Sequence, residues 1–428
     1  MSMNMNIKEM NKAEFLRECG QDVQPLVSER ERIERAVFRR VQEAFRLERV
    51  QQSDFMGSTG YGYGDMGRDK LGRVFARAME SEDAIVRPHI MSGTHALSIA
   101  LSATLKPGDT LLSVTGTPYD TIHSVIGITS HPSSLMSSGV SYDEIPLLND
   151  SDGGGIDYAS LGDCAARFNS QHDKHGRLMI YAQRSRGYAH RRSLMPDEFA
   201  TLAEYAHNID KNIIVMVDNC YGEFVCEHEP TYYGADLMAG SLIKNPGGGL
   251  APSGGYIAGR VDLVEQASQR LSAPGIGREI GSYEPGYRLF YQGLYLAPHI
   301  VSQALHNATL LARAFQKLGM AVSPAWDAQR GDIVQSIRLG SLRLVEAFCA
   351  AVQASSPVDA FATPLAWDMP GYADKVVMAA GTFVSGSSIE FSADAPAREP
   401  YDVYFQGGLT AQQGYIFLEN FLGNASLS

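Results

Sequence analysis

Cysteine is scarce in this 428-residue chain, and the five present (Cys19, Cys164, Cys220, Cys226 and Cys349) are scattered with no CxxC pair. That argues against a disulfide scaffold or a structural zinc site and suits a reducing cytoplasm, the expected location. No run reaches the roughly 18 to 20 consecutive apolar residues that span a bilayer. The N-terminal MSMNMNIKEMNKAEF is polar and lacks the apolar core of a signal peptide. Basic residues are outnumbered, 36 Lys plus Arg against 48 Asp plus Glu, for a net charge of −12. Wholesale binding to nucleic acid or an anionic membrane is therefore disfavoured, although a local basic pocket is not. GxxxxGK[ST] does not occur, and neither does an internal repeat or a low-complexity tract.

What is present is an ordinary folded chain, 44% apolar and 20% charged, long enough for two domains sharing a core. Ile33, Val37, Val41 and Phe45 form one apolar stripe, which predicts a helix over 28–50. The Gly-rich QQSDFMGSTGYGYGDMGRDKLG that follows has no period and reads as a long functional loop. From Ala84, apolar runs (AIVRPHI, DTLLSV, SYDEIPL, GRLMIYAQ, NIIVMVD) alternate with amphipathic stretches. This is the texture of a mainly parallel sheet covered by helices on both faces. DLMAGSLIK and SGGYIAG read as hairpin-like strands, and a long helix covers 287–319. Beyond Ala321 the pattern (DIVQSIRL, LRLVEAFCAAV, KVVMAAG, SSIEFS, YDVYFQGG, TAQQGYIFLENFL) predicts a smaller α+β domain. The expected division is an N-terminal helical segment (1–55), a large domain (56–320) and a small one (321–428).

Gly62-x-Gly64-x-x-Gly67 matches the dinucleotide fingerprint as text, but QQSDFMGST before it cannot form the buried strand that the motif requires. We read it as a decoy. Cys226, Glu227 and His228 lack a regular ligand spacing, so no metal is expected. Ser92-Gly93-Thr94-His95 sits at a strand-to-helix junction, where it is either a plain N-cap or a phosphate site built on the helix's free N–H groups. Asp218 ends the most apolar strand, where a carboxylate faces the ligand crevice of an open α/β sheet. Lys244 stands 26 residues on, before Asn245-Pro246-Gly247-Gly248-Gly249, at a place where a lysine could be desolvated and reactive. Each feature taken singly is as often structural. Together with Tyr119 they suggest pyridoxal phosphate, which needs an anion site, a partner for its pyridinium nitrogen, a stacking ring and a Schiff-base lysine.

The segments MSGTHALSIAL, VTGTPYDT, QRSRGY, VDNCYGEFVCE, GSLIKNPGGGLAPSGGYIAG and YFQGGLT resemble the aluminium-resistance family, related to cystathionine β-lyase and methionine γ-lyase. The likeness runs from about residue 28 to 425. It implies a fold type I pyridoxal-phosphate enzyme, a homodimer or homotetramer with its sites at the dimer interface. Carried over by position, Lys244 would be the Schiff-base lysine, Asp218 the pyridinium partner and Tyr119 the stacking ring. Gly93, Thr94 and Ser241 would hold the phosphate, helped by Tyr61 or Tyr63 with Arg68 from the neighbouring subunit. Ser185 and Arg186 would line the site, and Arg398 would grip the substrate carboxylate with its guanidinium fork. The implied reaction is C–S β- or γ-elimination from a cysteine- or methionine-like thioether. Racemisation, transamination and cofactor binding without turnover are the alternatives.

Overall fold

A computed structural model describes residues 11–148, 154–171, 176–369 and 374–423. The first ten residues of the N-terminal segment lie outside the described residues. Helix α1 (Lys12–Leu47) leads into α2 (Met66–Ala78) and β1 (Asp83–Arg87), followed by α3 (Gly93–Thr104) and β2 (Thr110–Ser113). The one-turn α4 (His123–Ile126), β3 (Ser141–Glu144), α5 (Tyr158–Gln171) and β4 (Leu178–Gln183) come next. The large domain is completed by α6 (Glu198–Ile209), β5 (Ile214–Asp218), β6 (Leu237–Ser241), β7 (Gly255–Gly259), α7 (Val261–Leu271) and α8 (Arg288–Lys317).

Its sheet has the order β1-β7-β6-β5-β4-β2-β3, parallel except for β7, which runs antiparallel to both neighbours. Central strands β4 and β5 are buried along their whole length, because helices cover both faces. Met179, Tyr181, Ile214 and Met216 pack on one side, and Ile180, Ala182, Val215 and Val217 on the other. The β6–β7 pair is the expected hairpin-like unit.

The small domain holds β8 (Val322–Ser323), β9 (Gln335–Arg338), α9 (Leu342–Ala354), β10 (Val376–Ala379), β11 (Ser392–Pro396), β12 (Asp402–Gln406) and α10 (Gln412–Gly423). Its five strands form an antiparallel sheet ordered β10-β11-β12-β9-β8. No helix among the described residues is long and apolar enough to cross a membrane.

The structure differs from the local expectations at four places. Helix α1 starts at Lys12 rather than near residue 28 and carries Pro25 inside it. Its N-terminal half buries Phe15, Leu16, Cys19 and Val23 against the small domain, and its C-terminal half buries Val37, Val41 and Ala44 against the large one. Helix α8 likewise serves both cores, so the small-domain core takes in the last turns before residue 320. The Gly-rich stretch is not all loop, because Asp65 caps α2 by accepting from the Arg68 N–H at 3.0 Å. The strand expected at SSIEFS lies further on, at Ser392–Pro396.

Candidate active site

A cleft of about 230 Å³ opens between the C-terminal ends of the large sheet and one face of the small one. Gly93, Thr94, Tyr119, Asp218, Ser241 and Lys244 all line it. Ser92 caps α3 by accepting from the His95 N–H at 3.1 Å, which leaves the Gly93 and Thr94 N–H groups directed outward at the helix's positive end. A Cβ on Gly93 would meet Cys220 Sγ at 3.1 Å, a tight contact that glycine avoids. The Thr94 hydroxyl pairs with that of Thr121 at 2.8 Å, adding a second hydroxyl beside Ser241. The cap and phosphate readings of this junction are therefore compatible.

Asp218 is buried, and the Cys220 N–H donates to its Oδ1 at 3.1 Å while the Tyr181 hydroxyl reaches its Oδ2 at 3.4 Å. Burial raises the Asp218 carboxyl above its ordinary value, and the Lys244 charge offsets part of that rise. A ligand N–H would complete its set of donors. Lys244 is half-buried, with Nζ 3.9 Å from the centre of the Tyr221 ring. Burial works to lower its pKa, but the acidic groups around it (Cys220, Tyr221, Asp218 and Glu223) outweigh burial and hold the ammonium above its ordinary value. Asn245 positions the lysine, donating to the carbonyls of Tyr221 at 3.0 Å and Glu223 at 2.9 Å. The glycines after it let this turn press on α8, where a Cβ on Gly293 would come within 2.2 Å of the Gly247 carbonyl. Tyr221 itself has φ 70, a strained left-handed backbone beside the site.

Tyr119 is held by its N–H donating to Gln183 Oε1 at 2.7 Å, with its ring edge-on to Tyr188 at 5.4 Å. An anion cradle, a buried carboxylate, an aromatic ring and a half-buried amine thus face one cavity. These residues fit pyridoxal phosphate.

Other expectations do not converge there. Ser185 does not line the cleft; its hydroxyl donates to Asp332 Oδ2 at 2.7 Å. The Arg186 N–H donates to the same oxygen at 3.2 Å and its guanidinium to Ser323 Oγ at 2.7 Å, so both residues tie the large domain to the small one. Arg398 lies in the turn after β11, exposed and paired with Asp374 at 2.5 Å. Among the described residues lining the cleft there is no arginine. Arg68 is almost wholly buried, held by Asp69 and by the carbonyls of Gly62 at 3.0 Å and Glu279 at 3.3 Å. Within the single chain its donors are therefore taken up by its own backbone and by Asp69. Tyr61 and Tyr63 lie outside the cleft of their own chain, each 70% exposed with ring centroids 5.5 Å apart. Gly60, Gly62 and Gly64 around them have φ between 64 and 68, so two glycines of the false fingerprint serve left-handed turns, and the third, Gly67, lies in α2. Cys226, Glu227 and His228 take separate partners, Arg330, Arg32 and Glu80.

The sequence reading missed Thr121, Tyr221, Asn245, Glu223, Ser392, Asp394 and Gln406. Asp394 could have been found from the alternation in SADAP, where Ala393 and Ala395 enter the small-domain core and Ser392 and Asp394 face the cleft.

A family model described as methionine gamma-lyase matches residues 12–425. An uncharacterised Bacillus subtilis (strain 168) protein, YnbB, is 48% identical over 373 residues, 87% of this chain and 86% of its own. A solved structure from Listeria innocua, named provisionally as a cystathionine beta-lyase involved in aluminium resistance, is 44% identical with TM-score 0.91, covering 97% of this chain and all of that one. A carbon-sulfur lyase involved in aluminium resistance from Clostridium novyi NT is 44% identical with TM-score 0.90, covering 96% and 95%. A pyridoxal-5'-phosphate-dependent protein from Escherichia coli, 16% identical with TM-score 0.58, shares the fold alone, that of fold type I enzymes.

Proposed function

The chain belongs to the methionine gamma-lyase family, and from that premise we propose that it is a pyridoxal-phosphate enzyme that eliminates a thiol from a sulfur-containing amino acid. The observation that carries this reading is the convergence of Lys244 and Asp218 in one cleft beneath the N-terminus of α3. The Gly93 and Thr94 N–H groups, with the hydroxyls of Thr121 and Ser241, would bind the cofactor's phosphate. Tyr119 would lie against its ring and Asp218 would accept its ring N–H. When bound, the cofactor supplies an electron sink for the carbanion formed at the substrate's α-carbon.

Lys244 would anchor the cofactor and then take the α-proton. The acidic groups around Lys244 favour its charged form, so the amine would have to give up a proton before it could act as nucleophile or base. The net reaction would convert the thioether amino acid and water to a thiol, a 2-oxo acid and ammonia. Asn245 keeps the amine in place by pinning its turn to the 221–223 segment.

Among the described residues no arginine lines the cleft, and Tyr61 and Tyr63 stand exposed on a well-braced loop. Both features support a homodimer in which this loop reaches the partner's site.

The test is a coupled assay for 2-oxo acid and thiol release from a panel of thioether amino acids. We expect both products in equal amounts, and neither from Lys244→Ala, which should also lack the cofactor absorbance band. Bound cofactor with no product from any amino acid would overturn the enzyme reading. Racemised or transaminated substrate without thiol would overturn the elimination.

A further inference from the structure

A second cavity, of about 390 Å³, lies between α1 and α8 and shares no residue with the cleft. Arg30, Glu34 and Phe38 line it from α1 at one-turn spacing, facing His299 and His306 on α8. At the Phe38 end the groups are matched: Phe38 meets Tyr295 edge-on at 5.0 Å, and Glu34 Oε1 pairs with His299 Nδ1 at 2.9 Å. At the Arg30 end they are not. Arg30 and His306 are half-buried, and Arg30 Nε and His306 Nε2 are wholly buried without a hydrogen-bond partner. Glu31 also lines the cavity but is exposed, and among the described residues no acid lies within ion-pair distance of Arg30.

Arg330 lies near enough for the Arg30 charge to act on it, and it too is short of acceptors. Its side chain is buried and its Nη2 donates to Gln335 Oε1 at 2.6 Å, while Nε and Nη1 have no partner. Asp332 favours its charged form but gives its own oxygens to Ser185 and to the N–H groups of Arg186 and Val334. Burial pulls Arg30 down to about 10, and burial followed by the Arg30 charge pulls Arg330 down to about 9, so both remain cations at neutral pH.

Two neighbouring guanidinium groups, withdrawn from water with no carboxylate on either, are costly. What is missing is negative charge and acceptor oxygens, and an oxyanion supplies both. The guanidinium fork takes such a group through two parallel N–H bonds, and an imidazole with its proton on Nε2 adds a third donor. A metal cation would add to the repulsion, and a neutral ligand would leave the charge unmatched. On α1, Arg30 stands between Val23 of the small-domain core and Val37 of the large one, and on α8 His306 stands between Leu305 of the large core and Ala308 of the small one.

We propose that the Arg30 end of this cavity binds a small oxyanion, a carboxylate or a phosphate, held by Arg30 and His306 with Arg330 adding charge. Its occupancy would fasten α1 to α8 where both helices pass from one core to the other. The site is independent of the elimination reading.

The experiment titrates the protein with inorganic phosphate and, separately, with malonate, in low-chloride buffer and with pyridoxal phosphate in excess to occupy the α3 cradle. Calorimetry should show saturable binding of at least one probe at one per chain, and the probe that binds more tightly identifies the phosphate or the carboxylate source. Arg30→Gln should weaken it tenfold or more, Arg30→Lys should recover part of the loss, and His306→Gln should weaken it a few-fold. The bound anion should raise the thermal midpoint of wild type more than that of Arg30→Gln. Burial and the Arg30 charge now hold the His306 imidazole below its ordinary pKa, so in proton NMR the anion should raise it. No saturable binding of either probe would overturn the site, as would binding that Arg30→Gln and His306→Gln leave unchanged. If Arg30→Gln does not fold, His306→Gln and the His306 titration decide: unchanged affinity and an unmoved imidazole would overturn it.

Discussion

Ser185, on the segment leaving β4, donates to Asp332 of the small domain at 2.7 Å, and both side chains are buried. The Arg186 N–H at 3.2 Å and the Val334 N–H at 3.1 Å complete the carboxylate's donors. The cleft has one wall on each domain, and this clamp is one of the ties between them. Ser185→Ala removes one of three donors to a buried acceptor and should cost about 1–3 kcal/mol in urea unfolding. Asp332→Ala leaves three donors without an acceptor and should cost more. An unchanged midpoint for both would mean that the clamp contributes nothing to holding the domains together.

Arg398 gives the opposite expectation. Its guanidinium sits at the surface with Asp374, both largely exposed, where an ion pair contributes roughly 0–1 kcal/mol. Arg398→Ala should therefore change stability by less than about 1 kcal/mol and kcat/KM for a thioether substrate by no more than a few-fold. A loss of a hundredfold or more in kcat/KM with the fold intact would return this arginine to the substrate's carboxylate.

Much of the large domain was legible because strands buried on both faces are apolar up to their last residue, as IVMVD and LMIYAQ are. Against that background, the charges of Asp218 and Lys244 at strand ends stood out. The small domain hid its part of the site by the same physics. SADAP buries alanines on one face and turns a serine and an aspartate into the cleft on the other, so a buried strand carries the polarity of a loop. Arg398 was assigned to the substrate by the family resemblance, not by any pattern in its own segment. Pro25 disguised the first half of α1, whose real cause is the burial of Phe15, Leu16, Cys19 and Val23 against a core formed far along the chain. The carbonyls of Gly62 and Glu279 that take up donors of Arg68 are backbone groups, which no side-chain pattern reports.

Glu223 is fully buried, receiving the Tyr256 hydroxyl on Oε1 at 2.9 Å while Oε2 has no partner. Burial raises its carboxyl from 4.5 to about 8. The folded protein therefore keeps a proton that the unfolded chain releases near 4.5, and stability from this group falls as pH rises between those values. Above about 8 the loss levels off. Glu223→Gln keeps the shape and removes the titration, so unfolding free energies measured from pH 5 to 8.5 at fixed cofactor concentration should decline less steeply in the variant, by a few kcal/mol over the range on the order set by linkage. Parallel slopes for the two proteins would show that Glu223 is already ionised at neutral pH.

The exposed pair Tyr61 and Tyr63 carries the last expectation. Their loop is braced where the Gly281 N–H donates to the Tyr61 carbonyl at 3.0 Å and Ser282 Oγ to the Gly60 carbonyl at 2.6 Å. A rigid loop that holds two aromatic rings in water loses little entropy when it docks, and such rings are favoured anchors at interfaces. If the loop completes a partner's site, replacing both tyrosines with alanine should weaken dimerisation in sedimentation velocity and lower cofactor affinity. It should also complement Lys244→Ala. In a two-fold dimer, a hybrid of the two variants has one site with both a lysine and an intact loop, and one site with neither. Random exchange of equal amounts makes about half the dimers hybrid, so activity should return to roughly a quarter of wild type. Native mass spectrometry can count the hybrids independently of activity. Hybrids present with no activity regained would place the tyrosines outside the partner's site, and their exposure would need another occupant.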